Sequence, residues 1–362
     1  MGHYSQTIPY PFTIRCASVC NDLIFVGTYR NSDVNEVDNC ARCLDGNFRE
    51  IWKTPIEFDP LQITATSKHV FVLTHNFFPG YGILYCLDNS SGEIIWKKRL
   101  SDISTTAELL VIGDSLVFFC NQEIVKYAVK NGRKLQAVAH DNGNDYYPQK
   151  IQNNSIICRS RFALGKYSLE DLSTEWLVDG FDNPMGFGCD KEHAFVAREQ
   201  RLMIYDLKNG KQAGQIEADP ISYILSDGNH VYFQSEHDND KRYVVSCFSK
   251  KTLKAVWHTE VPISLGNANY SPCLEILTDE VVIARGHCGP VYSLERTTGN
   301  IAMLLSEANM PNNRFPSENQ PVLFSFLGKL FIPYQRMIYT LPEFPSAFLG
   351  TKILDADRQA WL

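Results

Sequence analysis

Short runs of β-branched and aromatic residues, each preceded by a polar turn, recur along the chain about every 40 residues. The runs are NDLIFV, KHVFVL, DSLVFF, NSIIC, EHAFVA, NHVYF, DEVVIA and GKLFI, and their first apolar residues are Leu23, Val70, Leu116, Ile156, Ala194, Val231, Val281 and Leu330. Runs of this length and composition, bounded by turn residues, predict β-strands. No stretch shows a sustained period of 3.6 residues, so little helix is expected.

A second pattern alternates with the first and contains all five tryptophans of the chain. Its fullest copies are CLDGNFREIW ending at Trp52, CLDNSSGEIIW at Trp96, SLEDLSTEW at Trp176, CFSKKTLKAVW at Trp257 and ILDADRQAW at Trp361. Weaker copies without tryptophan start at Tyr127, Tyr205 and Ser293. Asn-Gly or Ser-Gly in the best copies predicts a hairpin turn. The two patterns are therefore two parts of one repeating unit.

Each unit predicts four short strands, and tandem four-stranded units of this length are typical of a β-propeller. A lone four-stranded sheet exposes two apolar faces, and radial stacking on its neighbours buries both. We therefore expect an all-β, eight-bladed propeller of four-stranded antiparallel blades that forms a single domain over residues 1–362. The blades are expected to begin near residues 13, 61, 105, 147, 185, 221, 271 and 319. The tryptophans are expected to pack between adjacent blades.

The last blade is ambiguous in the sequence. Leu341 lies at the expected spacing, but the segment from Leu354 to Trp361 carries the fuller phrase. The N-terminal segment 4–12 is expected to close the ring by pairing with this blade.

The second phrase resembles the PQQ-type, or quinoprotein-like, repeat, whose pattern is Leu-Asp-x-x-Thr-Gly-x-x-x-Trp. Leu87, Asp88, Gly92 and Trp96 match this pattern, and Ser91 stands at the threonine position. The resemblance implies a propeller with WD40-like architecture, although the Trp-Asp dipeptide of WD40 repeats is missing. The family includes PQQ-dependent alcohol dehydrogenases. It also includes smaller proteins, such as the outer-membrane assembly lipoprotein, that use the propeller only to bind partners.

Composition limits the classes of partner. Apolar residues make up 44% of the chain, charged residues 21%, and the net charge is −7, which does not suit binding to nucleic acid or anionic membranes. No apolar run reaches the roughly 18 residues of a membrane span. The N-terminus does not resemble a signal peptide, and the 11 cysteines are odd in number. A monomer in the reducing cytoplasm is expected.

Metal binding and catalysis are not expected. Cys16, Cys20, Cys40 and Cys43 have a spacing similar to that of a zinc site, but residues four apart on a strand lie about 13 Å apart, too far to share one ion. Cys43 also recurs at the same repeat position as Cys86 and Cys247, which favours a packing role. The adjacent Cys-Cys pair of PQQ dehydrogenases is missing, as are nucleophile-elbow and phosphate-loop motifs. No catalytic, cofactor-binding or metal-binding residue is therefore predicted.

The segments that follow the second strand of each unit should emerge on one face of the propeller. They are rich in arginine, histidine and aromatic residues, a composition typical of the centres of protein interfaces. The candidate partner-binding residues are Tyr29, Arg30, His75, Phe77, Phe78, Arg159, Arg161, Arg198, Arg201, His237, Arg242, Arg285, His287, Tyr334 and Arg336. Charge reversal of Arg159 and Arg285 is expected to weaken binding without changing the melting temperature.

The sequence thus favours a non-catalytic scaffold that binds a protein partner with an acidic contact surface. One alternative is an enzyme, or a binder of PQQ or another anionic small molecule, with its site at the central funnel. Another is an immunity-type protein that neutralises a toxin or effector. Co-purification of a partner would support the scaffold, whereas ultraviolet-visible absorbance of the purified protein would support the cofactor-binding alternative.

Overall fold

The computed structural model describes most of the chain. The described residues are 6–10, 12, 14–31, 36–76, 80–101, 109–120, 123–139, 147–152, 154–159, 162–181, 186–198, 200–218, 221–237, 242–261, 273–276, 281–285, 291–305, 324–326, 329–334 and 337–340. Within these ranges the regular elements are all β-strands, with no helix. The prediction of an all-β chain is confirmed for this part of the protein.

The strands form four-stranded antiparallel sheets in chain order. Sheet 1 contains β2 (Ile14–Cys20), β3 (Leu23–Asn31), β4 (Glu36–Leu44) and β5 (Glu50–Pro55). Sheet 2 contains β6 (Asp59–Ala65), β7 (His69–Asn76), β8 (Tyr81–Asp88) and β9 (Ile94–Ser101). Sheet 3 contains β10 (Leu110–Ile112), β11 (Ser115–Cys120), β12 (Glu123–Ala128) and β13 (Lys134–Ala139). Sheet 4 contains β14 (Tyr147–Gln152), β15 (Ser155–Arg159), β16 (Ala163–Ser168) and β17 (Thr174–Asp179).

The second half of the chain repeats this arrangement. Sheet 5 contains β18 (Phe187–Cys189), β19 (His193–Arg198), β20 (Arg201–Asp206) and β21 (Gln212–Glu217). Sheet 6 contains β22 (Ile221–Ser226), β23 (His230–His237), β24 (Arg242–Ser249) and β25 (Ala255–Val261). Sheet 7 contains β26 (Cys273–Ile276), β27 (Val281–Arg285), β28 (Val291–Glu295) and β29 (Ile301–Leu305). Sheet 8 contains β30 (Phe324–Phe326), β31 (Lys329–Tyr334), β32 (Met337–Thr340) and the N-terminal β1 (Gln6–Pro9).

Sheet 8 joins the two ends of the described chain. Strand β1 pairs antiparallel with β32, with Gln6 opposite Thr340 and Pro9 opposite Met337. The expected pairing of the N-terminal segment with the last sheet is therefore confirmed. The phrase from Leu354 to Trp361 lies outside the described residues.

The hydrophobic core is divided into clusters that lie between adjacent sheets. One cluster joins Phe25 of sheet 1 to Val72 of sheet 2, and another joins Phe195 of sheet 5 to Phe233 of sheet 6. Phe331 of sheet 8 packs in a cluster with residues of sheet 1. Sheets that pack face to face in chain order, with the last against the first, have the arrangement of a β-propeller.

Four of the five tryptophans lie in the fourth strand of a sheet and contact the next sheet. The indole N–H of each donates a hydrogen bond to a backbone oxygen in the turn between the third and fourth strands of that sheet. These bonds run from Trp52 to Asn89 (2.8 Å), Trp96 to Val129 (2.7 Å), Trp176 to Leu207 (3.1 Å) and Trp257 to Arg296 (2.9 Å). The fifth, Trp361, lies outside the described residues.

A glycine in the same turn lies directly beneath each of these indole rings. Gly92 has φ +74°, a conformation that side chains rarely adopt, and a Cβ atom added there would lie 2.6 Å from the ring of Trp52. The other three glycines have the same conformation and the same close contact: Gly132 under Trp96, Gly210 under Trp176 and Gly299 under Trp257. The glycine of the repeat phrase is thus required both by the turn and by the neighbouring tryptophan.

Where the tryptophan of one sheet is missing, a larger residue replaces the glycine of the next sheet. Gln136 and Gly214 occupy the tryptophan position of sheets 3 and 5, and the glycine position of the next sheet is then Leu172 or Leu253. These leucines keep the positive φ of the turn, at 52° and 54°. Leu172 is fully buried, and the side chain of Leu253 lies against Gly214. Leucine at the turn position is therefore matched by a residue smaller than tryptophan on the facing strand.

A threonine, buried at position 54 and partly buried at position 259, adds a hydrogen bond at two of these interfaces. The Thr54 hydroxyl donates to the Gly92 carbonyl at 2.6 Å, and Thr259 donates to Gly299 at 2.7 Å. Thr54→Val keeps the shape but leaves the carbonyl without this donor, so we expect the free energy of unfolding to fall by about 1 kcal/mol. Urea denaturation measures the change. Thr174→Val, at an exposed site, is the control, and equal losses for both variants would contradict this assignment.

Candidate functional site

Two kinds of chain connection emerge at the same end of the sheets. Because the strands alternate in direction, the segment between the second and third strands emerges on the same side as the segment that leads from a fourth strand to the next sheet. The turns between first and second strands, and between third and fourth strands, lie on the opposite side. We call the first side the connection face and the second the turn face.

The candidate partner-binding residues lie at strand ends on the connection face rather than in loops. Arg159, Arg198, His237, Arg285 and Tyr334 end their strands, Arg201 and Arg242 begin theirs, and Tyr29, Arg30 and His75 lie inside strands near the end. The prediction of loop positions was wrong for these residues, because the strands extend further than the apolar runs indicate. Phe77, Phe78, Arg161, His287 and Arg336 lie outside the described residues.

His75 is buried rather than displayed on the surface, with 6% of its area exposed. It lies opposite Asp59 in the register of β6 and β7. Burial, and then the charge of the nearby Arg15, lower the pKa of His75 below its ordinary value. The imidazole is therefore neutral at physiological pH, and its role as a cationic contact for a partner is not supported.

Arg159 and Arg198 differ in their exposure. The side chain of Arg159 is only partly exposed, and its Nε atom is buried. Charge reversal there would disturb packing as well as binding, so Arg159 is a poor site for the test that the sequence suggested. Arg198 is exposed, and Arg201 beside it is exposed and forms an ion pair with Glu217 at 3.1 Å. These two residues are better probes of the connection face.

The cysteines of the apparent zinc motif take part in packing. Cys16 and Cys43 belong to the cluster between sheets 1 and 2, and burial raises the pKa of both thiols to about 12. Cys43, Cys86 and Cys247 are each opposite a tryptophan in the strand register. Among the described residues, no group of three or more His, Cys, Asp or Glu side chains could hold a metal ion.

A compact group of aromatic and arginine side chains lies on the connection face between sheets 1 and 2. The guanidinium of Arg99 lies 3.8 Å from the centre of the Tyr81 ring, and Tyr81 meets Phe58 edge to face at 5.2 Å. Beside them, Arg15 bonds to Asp59 at 2.7 Å and lies over the ring of Tyr29 at 5.3 Å. We call this group the aromatic–arginine cluster; it consists of Arg15, Tyr29, Phe58, Asp59, Tyr81 and Arg99.

Tyr29 of this cluster is among the residues predicted from the sequence, and the other five members are not. The predicted residues all come from segments after second strands, whereas Arg15 and Asp59 are on first strands, Arg99 is on a fourth strand and Phe58 lies between sheets. The signal was present, because connections from fourth to first strands emerge on the same face. The end of β9 and the start of β6 lie at such connections, next to Arg99 and Phe58.

Solved structures of low sequence identity share this fold. BamB from Moraxella catarrhalis, a PQQ-like β-propeller, has a TM-score of 0.65 at 13% identity, covering 94% of this chain and 99% of that chain. Sqt1 of Saccharomyces cerevisiae, a WD40 propeller, has a TM-score of 0.66 at 9% identity, covering 95% and 100%. The computationally designed Ika8 protein has a TM-score of 0.67 at 10% identity, covering 92% and 97%. The fold is that of a β-propeller.

Comparisons of the sequence with known families and proteins add no relative to these structures. No protein-family model matches the chain, and no curated protein sequence matches it. At identities this low, the structural likeness shows the fold and leaves function to be argued from the site. None of the described elements is a helix of the length and apolarity that a membrane crossing needs.

Proposed function

We propose that this protein is a non-catalytic scaffold that binds a protein partner on its connection face. The observation that carries the proposal is the aromatic–arginine cluster, because tyrosine and arginine are the residues that most often dominate binding energy at protein interfaces. Exposed Arg198 and Arg201 lie on the same face. Resemblance of the repeat phrase to a family in which some members use the propeller only to bind partners favours the same function.

We also propose how the sheets assemble, what the partner presents and where the protein is located. We take the eight four-stranded sheets of the described residues as the eight blades of one closed, monomeric ring. The partner presents acidic groups to the arginines of the connection face, since opposite charges steer association and fix its register. We place the protein in the reducing cytoplasm, where buried free thiols such as those of Cys16 and Cys158 persist unpaired.

Affinity capture from an extract of the source cells tests this function. Wild-type protein is expected to retain a partner at stoichiometric amounts, and the double variant Arg198→Glu/Arg201→Glu is expected to retain about tenfold less, because repulsion replaces attraction at the contact. Arg49→Glu and Arg133→Glu make the same charge change on exposed residues of the turn face and serve as controls.

The melting temperature of each variant must stay near that of the wild type for the comparison to hold. This is expected because exposed substitutions away from special features change stability by about 0.5 kcal/mol or less. Equal retention of the partner by the Arg198/Arg201 variant and the wild type would count against the connection face. Loss of the partner in the turn-face variants alone would move the site to the other side.

A further inference from the structure

We propose that the aromatic–arginine cluster is a recognition site for an acidic segment of the partner protein, with Arg99 as its carboxylate-binding residue. This inference rests on the proposed function, since it names the chemistry that the partner must offer. It goes further in assigning one part of the contact to the crevice between sheets 1 and 2 and to one guanidinium.

The strand register holds Arg99 in place on Tyr81. Tyr81 lies opposite Ser101, and Ile83 lies opposite Arg99, so Tyr81 and Arg99 are diagonal neighbours on the same side of sheet 2. The guanidinium lies 3.8 Å from the ring centre. Stacking on an aromatic ring fixes the plane of the guanidinium, and its N–H groups can then point outward to bind a carboxylate with two parallel hydrogen bonds.

Among the described residues, Arg99 differs from its neighbours in having no acidic partner. Asp59 is bonded to Arg15 at 2.7 Å, and Glu57 is bonded to Lys97 at 2.9 Å. No ion pair joins Arg99 to a carboxylate within the part of the chain that the structure describes. The described acids of the crevice therefore leave one positive charge without a partner, although the chain as a whole carries a net charge of −7.

Phe58 supplies a second, independent observation. Its φ is +65°, in the left-handed region that is rare for an aromatic residue. Phe48, Leu172 and Leu253 share a positive φ but occupy the repeated turn between third and fourth strands, whereas Phe58 does not. Backbone strain of this kind concentrates at binding sites. Here it directs the Phe58 ring against Tyr81, and both rings remain partly exposed beside the guanidinium.

Together these groups fit an acidic protein segment that carries an apolar side chain. The carboxylate would meet Arg99, and the apolar side chain would lie on Phe58 and Tyr81. Nucleic acid is a weaker fit, because affinity for a phosphate backbone comes from many cationic contacts together, and the chain as a whole carries a net charge of −7.

Fluorescence anisotropy with defined probes tests the site. The probe is a fluorescein-labelled peptide of repeated Gly-Glu-Phe-Gly units, and the matched probe replaces each Glu by Gln. Wild-type protein is expected to bind the Glu peptide about tenfold more tightly than the Gln peptide at low salt. Arg99→Ala should abolish that preference. Arg99→Lys should recover little of it, since an ammonium group cannot form the bidentate contact.

Arg133→Ala on the turn face is the matched control, and it should bind as the wild type does. Equal binding of both peptides, equal binding by Arg99→Ala and wild type, or no binding by the wild type would each overturn the inference. So would tighter, Arg99-dependent binding of a single-stranded oligonucleotide of similar length. If the captured cellular partner is retained equally by Arg99→Ala, the crevice inference fails while the scaffold function stands. If the peptide binds through Arg99 but no cellular partner is captured, the crevice inference stands and the scaffold function fails.

Discussion

Replacing Trp96 by Gln and Gly132 by Leu together is expected to destabilise the protein less than the sum of the two single replacements, by about 2 kcal/mol or more. Trp96→Gln alone removes most of an indole from the interface between sheets 2 and 3 and should cost about 3 kcal/mol. Gly132→Leu alone forces a side chain into the Trp96 ring, because the added Cβ would lie 2.8 Å from it. That replacement should cost about 3 kcal/mol from overpacking and backbone strain.

The expected rescue follows from a pair that the protein already contains. At the next interface Gln136 faces Leu172, which is fully buried with φ 52°, so the double variant copies this native pair at the preceding interface. Chemical denaturation of the wild type, both single variants and the double variant gives the coupling energy. Gly113→Leu is the control for the turn conformation alone, because Gly113 has φ +53° and open space around it. Additive effects of the two replacements would contradict reciprocal packing.

The second large effect is expected at Asp190, on the turn face between sheets 5 and 6. Its carboxylate accepts hydrogen bonds from the backbone amides of Glu192 and His193 at 2.8 Å each and from the Ser226 hydroxyl at 2.8 Å. Lys250 of sheet 6 binds it at 2.5 Å. Asp190 and Lys250 are both nearly buried. Asp190→Asn leaves the ammonium group of Lys250 without its counter-ion, so we expect a loss of about 3 kcal/mol at neutral pH.

The same site gives a pH dependence with a definite sign. Burial alone would raise the pKa of Asp190, but the bonds from Lys250, the two amides and Ser226 hold it below its ordinary value. A carboxyl whose pKa is lower in the folded state contributes stability above the unfolded-state pKa of about 4, and this contribution is lost as the pH falls through the folded-state pKa. The difference in unfolding free energy between wild type and Asp190→Asn should therefore shrink below about pH 4.

Urea denaturation at a series of pH values measures this difference. The double variant Asp190→Asn/Lys250→Gln is the companion experiment, and it should lose less than the sum of its single variants because neither charge is left alone. A constant difference between Asp190→Asn and wild type down to about pH 3 would contradict the assignment.

The sequence predicts most of the fold because the repeat encodes packing directly. Trp52 and Gly92 touch across an interface, so the spacing of tryptophan and glycine records how one sheet meets the next. Copies without tryptophan were harder to interpret. The substitution of Leu253 for the turn glycine becomes meaningful only once Gly214 is known to lie beneath it. The compensation joins residues in different repeats, and the pattern of a single repeat does not show it.

The candidate site was predicted less completely, for two physical reasons. Strand ends extend past the apolar runs, so His75, expected on the surface, is buried in β7. The cluster also combines residues from different strands and from two sheets, and Arg99 becomes notable only through its stacking on Tyr81. Charge and composition point to the connection face, on which the cluster also lies, but not to the crevice within it.

Hydrogen–deuterium exchange of the free protein and its partner complex tests the central claim, that the connection face binds a protein, most directly. The account predicts slower exchange on binding in segments of the connection face, namely 29–31, 57–59, 81–83, 99–101 and 200–201. The turns at 45–49, 89–93, 129–133 and 207–211 should exchange as in the free protein. Protection confined to those turns, with unchanged exchange on the connection face, would contradict the claim.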